Sequence, residues 1–210
     1  MRYDAMKLYY APGACSQAPH IILHETGLSH DAIRVDLKAK RTEDGADFAA
    51  INPKGSVPVL ELDNGEVLTE NAVILQYLGD RTNLGEWLPP LGDFRRYRVL
   101  EWLNYITTEL HKSFAPLFKP DAGDEVKAFA KKTVEQRFDY VEKQFAGPYV
   151  MGEEATLPDV YLFVILGWAE KMIGLEKWPR LAEFRAMFAE RPSVRHVLRF
   201  EGSLKEETAS

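Results

Sequence analysis

The stretch Asn52–Leu78, NPKGSVPVLELDNGEVLTENAVILQYL, constrains the fold more than any other part of the chain. Apolar and polar residues alternate through Val57–Leu62 and Glu66–Leu68. Asp63-Asn64-Gly65 between them tolerates positive φ, so the pattern predicts two short antiparallel strands in a hairpin. Thr69 is placed to cap a helix whose first turn holds Glu70 and Asn71 and whose Val73, Ile74, Tyr77 and Leu78 recur at helical spacing. Pro58 opens the first strand with no N–H to give, which suits an edge or a position before a bulge and makes Val57-Pro58 a candidate cis bond. Backbone groups of Val57 would then be open to an extended peptide by strand addition, while the helix start takes a carboxylate and Glu70 an ammonium group. The same residues also read as a hairpin and helix that simply pack together, with Glu70 favouring its own helix dipole.

Around this stretch the order is thioredoxin-like. Met1–Ala5 reads as an extension, Met6–Tyr10 as a strand, and Ala11-Pro12-Gly13-Ala14 as a loop leading to Cys15 and a helix that Gly27 can stop. Ile33–Leu37 is the second strand. Leu84–Gly92, with Pro89-Pro90, is the boundary, and Asp93 caps a long helical pattern running to about Phe118. No strand pattern follows. Phe129, Val134, Phe138, Val141 and Phe145 mark an amphipathic helix after the Pro120–Asp124 break, and Thr156-Leu157-Pro158-Asp159 is a capping-box start. The helix it opens, Tyr161 to Ile173, is apolar on nearly all sides and belongs at the centre of a bundle. Pro179 and Pro192 punctuate two last helices, and Ser203–Ser210 is a tail. The expectation is an α/β thioredoxin-like N-terminal domain over residues 1–83, a linker over 84–92, and an all-α helical bundle over 93–210.

Composition excludes several classes. With 46% hydrophobic and 28% charged residues the chain is an ordinary globular one, and a net charge of −6 without a basic block beyond Lys38–Arg41 argues against nucleic acid as a partner. The longest apolar run, near Val160–Ala169, falls short of the roughly 20 residues that span a bilayer. The N-terminus lacks a signal-peptide pattern, so no membrane association and a cytoplasmic location are expected. One cysteine excludes an internal disulfide and suits a reducing compartment.

That cysteine is the chief chemical candidate. Cys15 stands at a predicted helix N-terminus, where N–H groups and the dipole favour a thiolate, although a lone Cys is as often buried packing. CSQA replaces CxxC, so Cys15 can form a mixed disulfide but cannot complete a dithiol cycle alone. Asn104, Thr108 and His111 fall at i, i+4 and i+7, one polar stripe on a helix whose Leu103, Ile106 and Leu110 point elsewhere. His20 and His24 share a helix face at i, i+4, a spacing that suits a metal, yet no third ligand is recognisable and no metal is expected. His30 and His196 carry no signal. No Gly-rich phosphate loop and no G-x-S-x-G elbow is present.

VPxLxLDxGxxLTExxxIxxYL is similar to the glutathione-binding half of the thioredoxin-like domain in cytosolic glutathione transferases. MKLYYAPGACSQAPHIIL and EWLNYITTELHKSFAPLF resemble the bacterial beta class of that superfamily. The likeness runs from Met6 to about Phe200. It implies a cis Val57-Pro58 peptide, a Val57 backbone that pairs with the cysteinyl unit of glutathione, and Glu70 and Asn71 holding the γ-glutamyl end. Asn71 departs from the Ser or Gly of many relatives, which keeps a backbone N–H contact and loses a hydroxyl. The resemblance also implies Lys40 near the glutathione carboxylate, Cys15 as the site cysteine, and His111 beside it with Asn104 and Thr108 lining the same cleft. Tyr10 and Ser16 lie near the positions that activate the thiol in other classes. The implied function is a two-fold homodimeric glutathione S-transferase conjugating the glutathione thiol to small hydrophobic electrophiles in detoxification. Two alternatives stay open: monothiol redox work through Cys15, as a peroxidase or in thiol-disulfide exchange, and a non-catalytic ligand-binding protein on the same fold.

Overall fold

A computed structural model describes residues 6–82 and 85–202; the expected N-terminal extension and C-terminal tail lie outside them. The chain divides into two compact units, one of residues up to Thr82 together with those from Ala189 onward, the other from Asn83 to Phe188.

The first unit is built on a five-stranded sheet in the order β3-β2-β1-β4-β5. Its strands are β1 (Met6–Tyr10), β2 (His30–Asp36), β3 (Arg41–Thr42), β4 (Val59–Glu61) and β5 (Val67–Thr69). Central β1 runs parallel to β2, with Met6 opposite His30, and antiparallel to β4, with Leu8 opposite Leu60. Alternation along β1 sends neighbouring residues to opposite faces. Tyr9 joins Val35, Phe48, Val57 and Val59 in one cluster. Leu8, Ile21, Ile22, Leu60, Ile74, Leu75 and Leu78 are all fully buried, and helices α1 (Gln17–Thr26) and α3 (Asn71–Arg81) pack together. Short helix α2 (Phe48–Ile51) supplies Phe48 to the first cluster.

The predicted hairpin forms with Leu60 opposite Leu68 and Gly65 at φ 81°. Two details of this stretch differ from expectation. Thr69 does not cap α3: it remains in β5 opposite Val59, and Glu70, at φ 72°, ψ 119°, makes the turn into the helix, its carbonyl accepting from Val73 and Ile74. Nor is the strand after Pro58 an edge, since β1 and β5 flank it on both sides. Pro58 lies just ahead of the paired residues, so its missing N–H removes nothing from the ladder, and Val57-Pro58 is cis.

The C-terminal segment also departs from the expected boundary. Helix α8 (Pro192–Phe200) packs on α1 within the first unit rather than completing the bundle. Polar side chains explain this. Glu201, itself buried, accepts from the backbone N–H of Gly13 and from Gln17 Nε2, both at 3.0 Å, and its other oxygen lies 2.9 Å from His20 Nδ1. Arg191 and Ser193 bond the carboxylate of Glu25 on α1.

The second unit is helical. Asp93 caps α4 (Phe94–Tyr105) by accepting from the Arg95 N–H at 2.8 Å. The helix does not continue regularly to Phe118 as expected: a π-helical turn, Ile106–Leu110, and a 3-10 turn, His111–Phe114, follow. Helix α5 (Asp124–Gln144) buries Ala130, Val134, Phe138 and Val141. Phe129, expected on that face, is 74% exposed, because five residues of helix place it well round from Val134 and Ala130 takes the inward place. The Thr156–Asp159 capping box opens α6 (Leu157–Met172), which is buried through nearly its whole length, and α7 (Pro179–Ala189) closes the unit.

Candidate functional site

In the first unit the residues of the hairpin stretch meet Cys15. Asn52, 2% exposed, donates to the Ser56 carbonyl at 2.7 Å and accepts from the Lys54 N–H at 3.1 Å, which folds the NPKG loop tightly ahead of Val57. Gly55 sits there at φ 62° with Lys40 Nζ 3.2 Å from where a β carbon would stand. The positive φ favours glycine there, and Lys40 donates to the Gly55 carbonyl at 2.6 Å.

Cys15, 8% exposed, donates its S–H to the Val57 carbonyl at 3.4 Å, a bond available to the thiol and not to the thiolate. Asn71, at the start of α3, donates its side-chain amide to the Cys15 carbonyl at 3.1 Å. That side chain is thus directed at the cysteine, and its Oδ1 is buried with no hydrogen-bond partner among the described residues. Beside it, exposed Glu70 receives Lys54 Nζ at 2.6 Å, and the same ammonium donates to Thr69 Oγ1 at 2.9 Å. Lys54 is a residue that sequence reasoning passed over, although its place in the NPKG loop puts it next to the hairpin. Cys15, Val57, Asn71, Glu70 and Lys40 thus gather about one loop and one helix start.

Two neighbours are structural here. Ser16 is fully buried and both donates to the Ala11 carbonyl at 3.3 Å and accepts from the Ala11 N–H at 3.1 Å, clasping the loop before α1. Tyr10 is buried against His20 and Phe200, and that burial, with Glu201 nearby, holds its phenol above the ordinary range.

In the second unit the π-helical turn re-phases the predicted polar stripe. Asn104 and Thr108 stay exposed and adjacent, the Thr108 hydroxyl bonding the Asn104 carbonyl at 3.1 Å. His111 turns inward: its Nδ1 lies 2.6 Å from the hydroxyl of fully buried Tyr161, and its ring packs edge-on against Trp168 at 4.9 Å. Tyr161 and Trp168, both on α6, belong to a stretch whose apolar pattern predicts core, and their polar tips are the only sequence signal of this contact.

The histidines also depart from expectation. His20 and His24 on α1 have no third ligand in the sequence, but the parallel pairing of β2 with β1 brings His30 to them, and a nitrogen of each ring lies within 4.8 Å of the others. His196 on α8 packs against His24 at a tilt, with ring centroids 4.3 Å apart. Burial, followed by His196, His20 and His30, pushes His24 down to about 4.

Residues 13–81 match the family model of the glutathione S-transferase N-terminal domain, and residues 108–199 that of the C-terminal domain. The chain is 45% identical to glutathione S-transferase GstA of Escherichia coli O157:H7 over 94% of this chain and 99% of that one. It is similar to a sphingomonad glutathione S-transferase solved in complex with glutathione, at 42% identity and TM-score 0.90, covering 94% of this chain and all of the other. The bacterial beta class glutathione S-transferase of Sphingomonas chungbukensis is likewise 42% identical, with TM-score 0.91 and the same coverage.

Proposed function

This chain belongs to the glutathione S-transferase family, and we propose that it binds glutathione on its first unit and transfers the glutathione thiol to small hydrophobic electrophiles. The observation that supports this best is the convergence of Cys15 on both Val57 and Asn71 through two hydrogen bonds, beside Glu70 at the start of α3. Each group then has a chemical task. Val57 offers backbone to an extended tripeptide, and Glu70 exchanges the Lys54 ammonium for that of the γ-glutamyl end. The first N–H groups of α3 take its α-carboxylate. Lys40 and Lys54 supply positive charge for the remaining carboxylate. Keeping a thiolate and placing it next to an electrophile is a modest demand that positioning and a few donors meet. His111, with Tyr161 holding its ring, is the imidazole we assign to the thiol chemistry, and Asn104 and Thr108 are assigned to the same cleft.

The reading extends to a two-fold homodimer acting in the cytoplasm in detoxification. Exposed Leu91, Phe94 and Tyr97 about the start of α4 are consistent with a covered face in such a dimer. No helix among the described residues is long and apolar enough to cross a membrane.

Purified protein should bind glutathione by calorimetry and conjugate it to a generic chloronitroaromatic. Binding without conjugation or disulfide reduction would replace this reading with a ligand carrier. The thiol of Cys15, held beside Val57, favours monothiol exchange as a second activity. Cys15→Ala should retain a substantial part of conjugation, lose exchange, and lose the glutathione-sized mass gained from oxidised glutathione. Complete loss of conjugation with binding intact would reverse the ranking of those two roles.

A further inference from the structure

Four of the chain's five histidines stand together at a place that the glutathione site does not use. His20 and His24 share the inner face of α1, His30 opens β2, and His196 lies on α8, all within the first unit. Centroid separations are 5.3 Å for His20 and His24, 5.0 Å for His24 and His30, and 5.7 Å for His20 and His30. Stacking of rings would account for a pair. It does not account for what happens at His20.

His20 is fully buried, and its Nε2 has no hydrogen-bond partner among the described residues. Leaving a buried polar nitrogen unpaired is costly, so such an atom asks for a partner that the described residues do not supply. Its other nitrogen faces the buried carboxylate of Glu201 at 2.9 Å, and that carboxylate is fixed in turn by Gly13 and Gln17. His30 is arranged alike: Nδ1 lies 2.9 Å from the Leu28 carbonyl, which takes the ring proton there and leaves Nε2 as the lone-pair nitrogen. A ring fixed through one nitrogen by a carboxylate or carbonyl, with the other nitrogen bare, is how metal-binding imidazoles are oriented.

We propose that His20, His24 and His30 bind one zinc ion, with Glu201 and the Leu28 carbonyl orienting the outer two of these rings. Donors that are all imidazole suit zinc, and after it nickel or copper, rather than magnesium or calcium, which take oxygen ligands. Three ligand nitrogens lie within 4.8 Å of one another. A tetrahedral zinc at bonds of about 2.0 Å sets its ligands roughly 3.3 Å apart. Small side-chain rotations of His24 and His30, both only partly buried, close that gap while His20 stays fixed. A fourth position remains for water or for exposed His196. An ion there ties α1 to β2 within the first unit. The site is independent of the transferase reading and would stand or fall without it.

The test uses the whole protein, with any affinity tag removed and metal stripped by chelation. Zinc chloride is titrated by calorimetry, and cobalt(II) serves as an optical probe. One ion per chain is expected, with intense tetrahedral cobalt bands in the visible and a higher thermal midpoint with zinc than without. His24→Asn and His30→Asn should each weaken zinc binding at least tenfold and remove the cobalt bands, whereas Cys15→Ser should keep both. Zinc should also protect these histidines of the unaltered protein from acylation by diethyl pyrocarbonate, a readout that needs no variant to fold. Absence of stoichiometric binding overturns the proposal. So does loss of binding in Cys15→Ser with retention in the histidine variants, which would move the ion to the thiol.

Discussion

The side-chain amide of Asn71 holds the backbone carbonyl of Cys15 at 3.1 Å, tying the start of α3 to the loop that presents the thiol. Because the Cys15 sulfur is separately bonded to the Val57 carbonyl at 3.4 Å, the cysteine is fixed from two elements, one through its backbone and one through its side chain.

Asn71→Ala should loosen the first of these. The Cys15 carbonyl keeps a second donor, the Ala18 N–H at 3.1 Å, and the change also removes Asn71 Oδ1, a buried acceptor with no partner among the described residues. Stability should therefore move by no more than about 1 kcal/mol in denaturant unfolding. Alkylation of Cys15 should become several-fold faster. An unchanged alkylation rate would mean that Asn71 does not position the thiol.

His111 depends on α6 in a similar way. Tyr161→Phe removes the hydroxyl 2.6 Å from His111 Nδ1 while leaving the aromatic packing in place. The loss should be about 1 kcal/mol of stability, with a fall in conjugation smaller than that in His111→Ala. Equal activity in Tyr161→Phe and the parent protein would show that the hydroxyl serves packing alone.

How far the sequence could be read follows from how local each interaction is. The hairpin, the stop at Gly27 and the Thr156–Asp159 capping box rest on neighbouring residues and were legible. The turn at Glu70 was not, because whether Thr69 caps or stays paired is decided by Val59 across the sheet. A π-helical turn leaves no mark in apolar spacing, so the inward rotation of His111 toward Tyr161 was invisible. The same holds for His30, which the register of β2 on β1 brings beside His20, and for α8, which Glu201 draws onto α1 from 181 residues along the chain. Within the candidate site, Cys15, Val57, Glu70 and Asn71 were legible through motif likeness, whereas the contacts of Lys54 and Tyr161 depend on the fold of the NPKG loop and the packing of α6.

Asp159 carries a pH signature. It is fully buried in the capping box, and desolvation, opposed by hydrogen bonds from Val150 and Thr156, pushes its carboxyl up to about 6. A carboxyl raised on folding binds its proton more tightly in the native state. Its contribution is therefore complete below the unfolded value near 4 and is lost as pH rises through about 6. The stability advantage of the parent protein over Asp159→Asn should shrink between pH 4 and pH 7, by roughly 1–3 kcal/mol. Urea unfolding at the two pH values checks this, and an advantage that grows with pH would contradict it.

Glu70 combines an exposed carboxylate at a helix start with a costly backbone. At φ 72° and ψ 119° it occupies a region that residues with a β carbon rarely adopt, at a cost of order 1–3 kcal/mol. That conformation takes the chain from β5 into α3 within one residue, and it leaves the carboxylate exposed at the helix start. Glycine would make the turn without the steric cost, so a glutamate here points to a role for its side chain. Two substitutions separate backbone from side chain. Glu70→Ala and Glu70→Gly both remove the carboxylate and should each weaken glutathione binding by more than about 1.5 kcal/mol, the low end for a charge-assisted bond. Only the glycine relieves the backbone. Glu70→Gly should then be more stable than Glu70→Ala by roughly 1 kcal/mol in thermal or urea unfolding, even after glycine's larger entropy in the unfolded chain is counted against it. Calorimetry with glutathione and unfolding of the two variants side by side decide the matter: unchanged affinity would reject the ligand role, and an alanine variant as stable as the glycine one would show that the turn carries no strain.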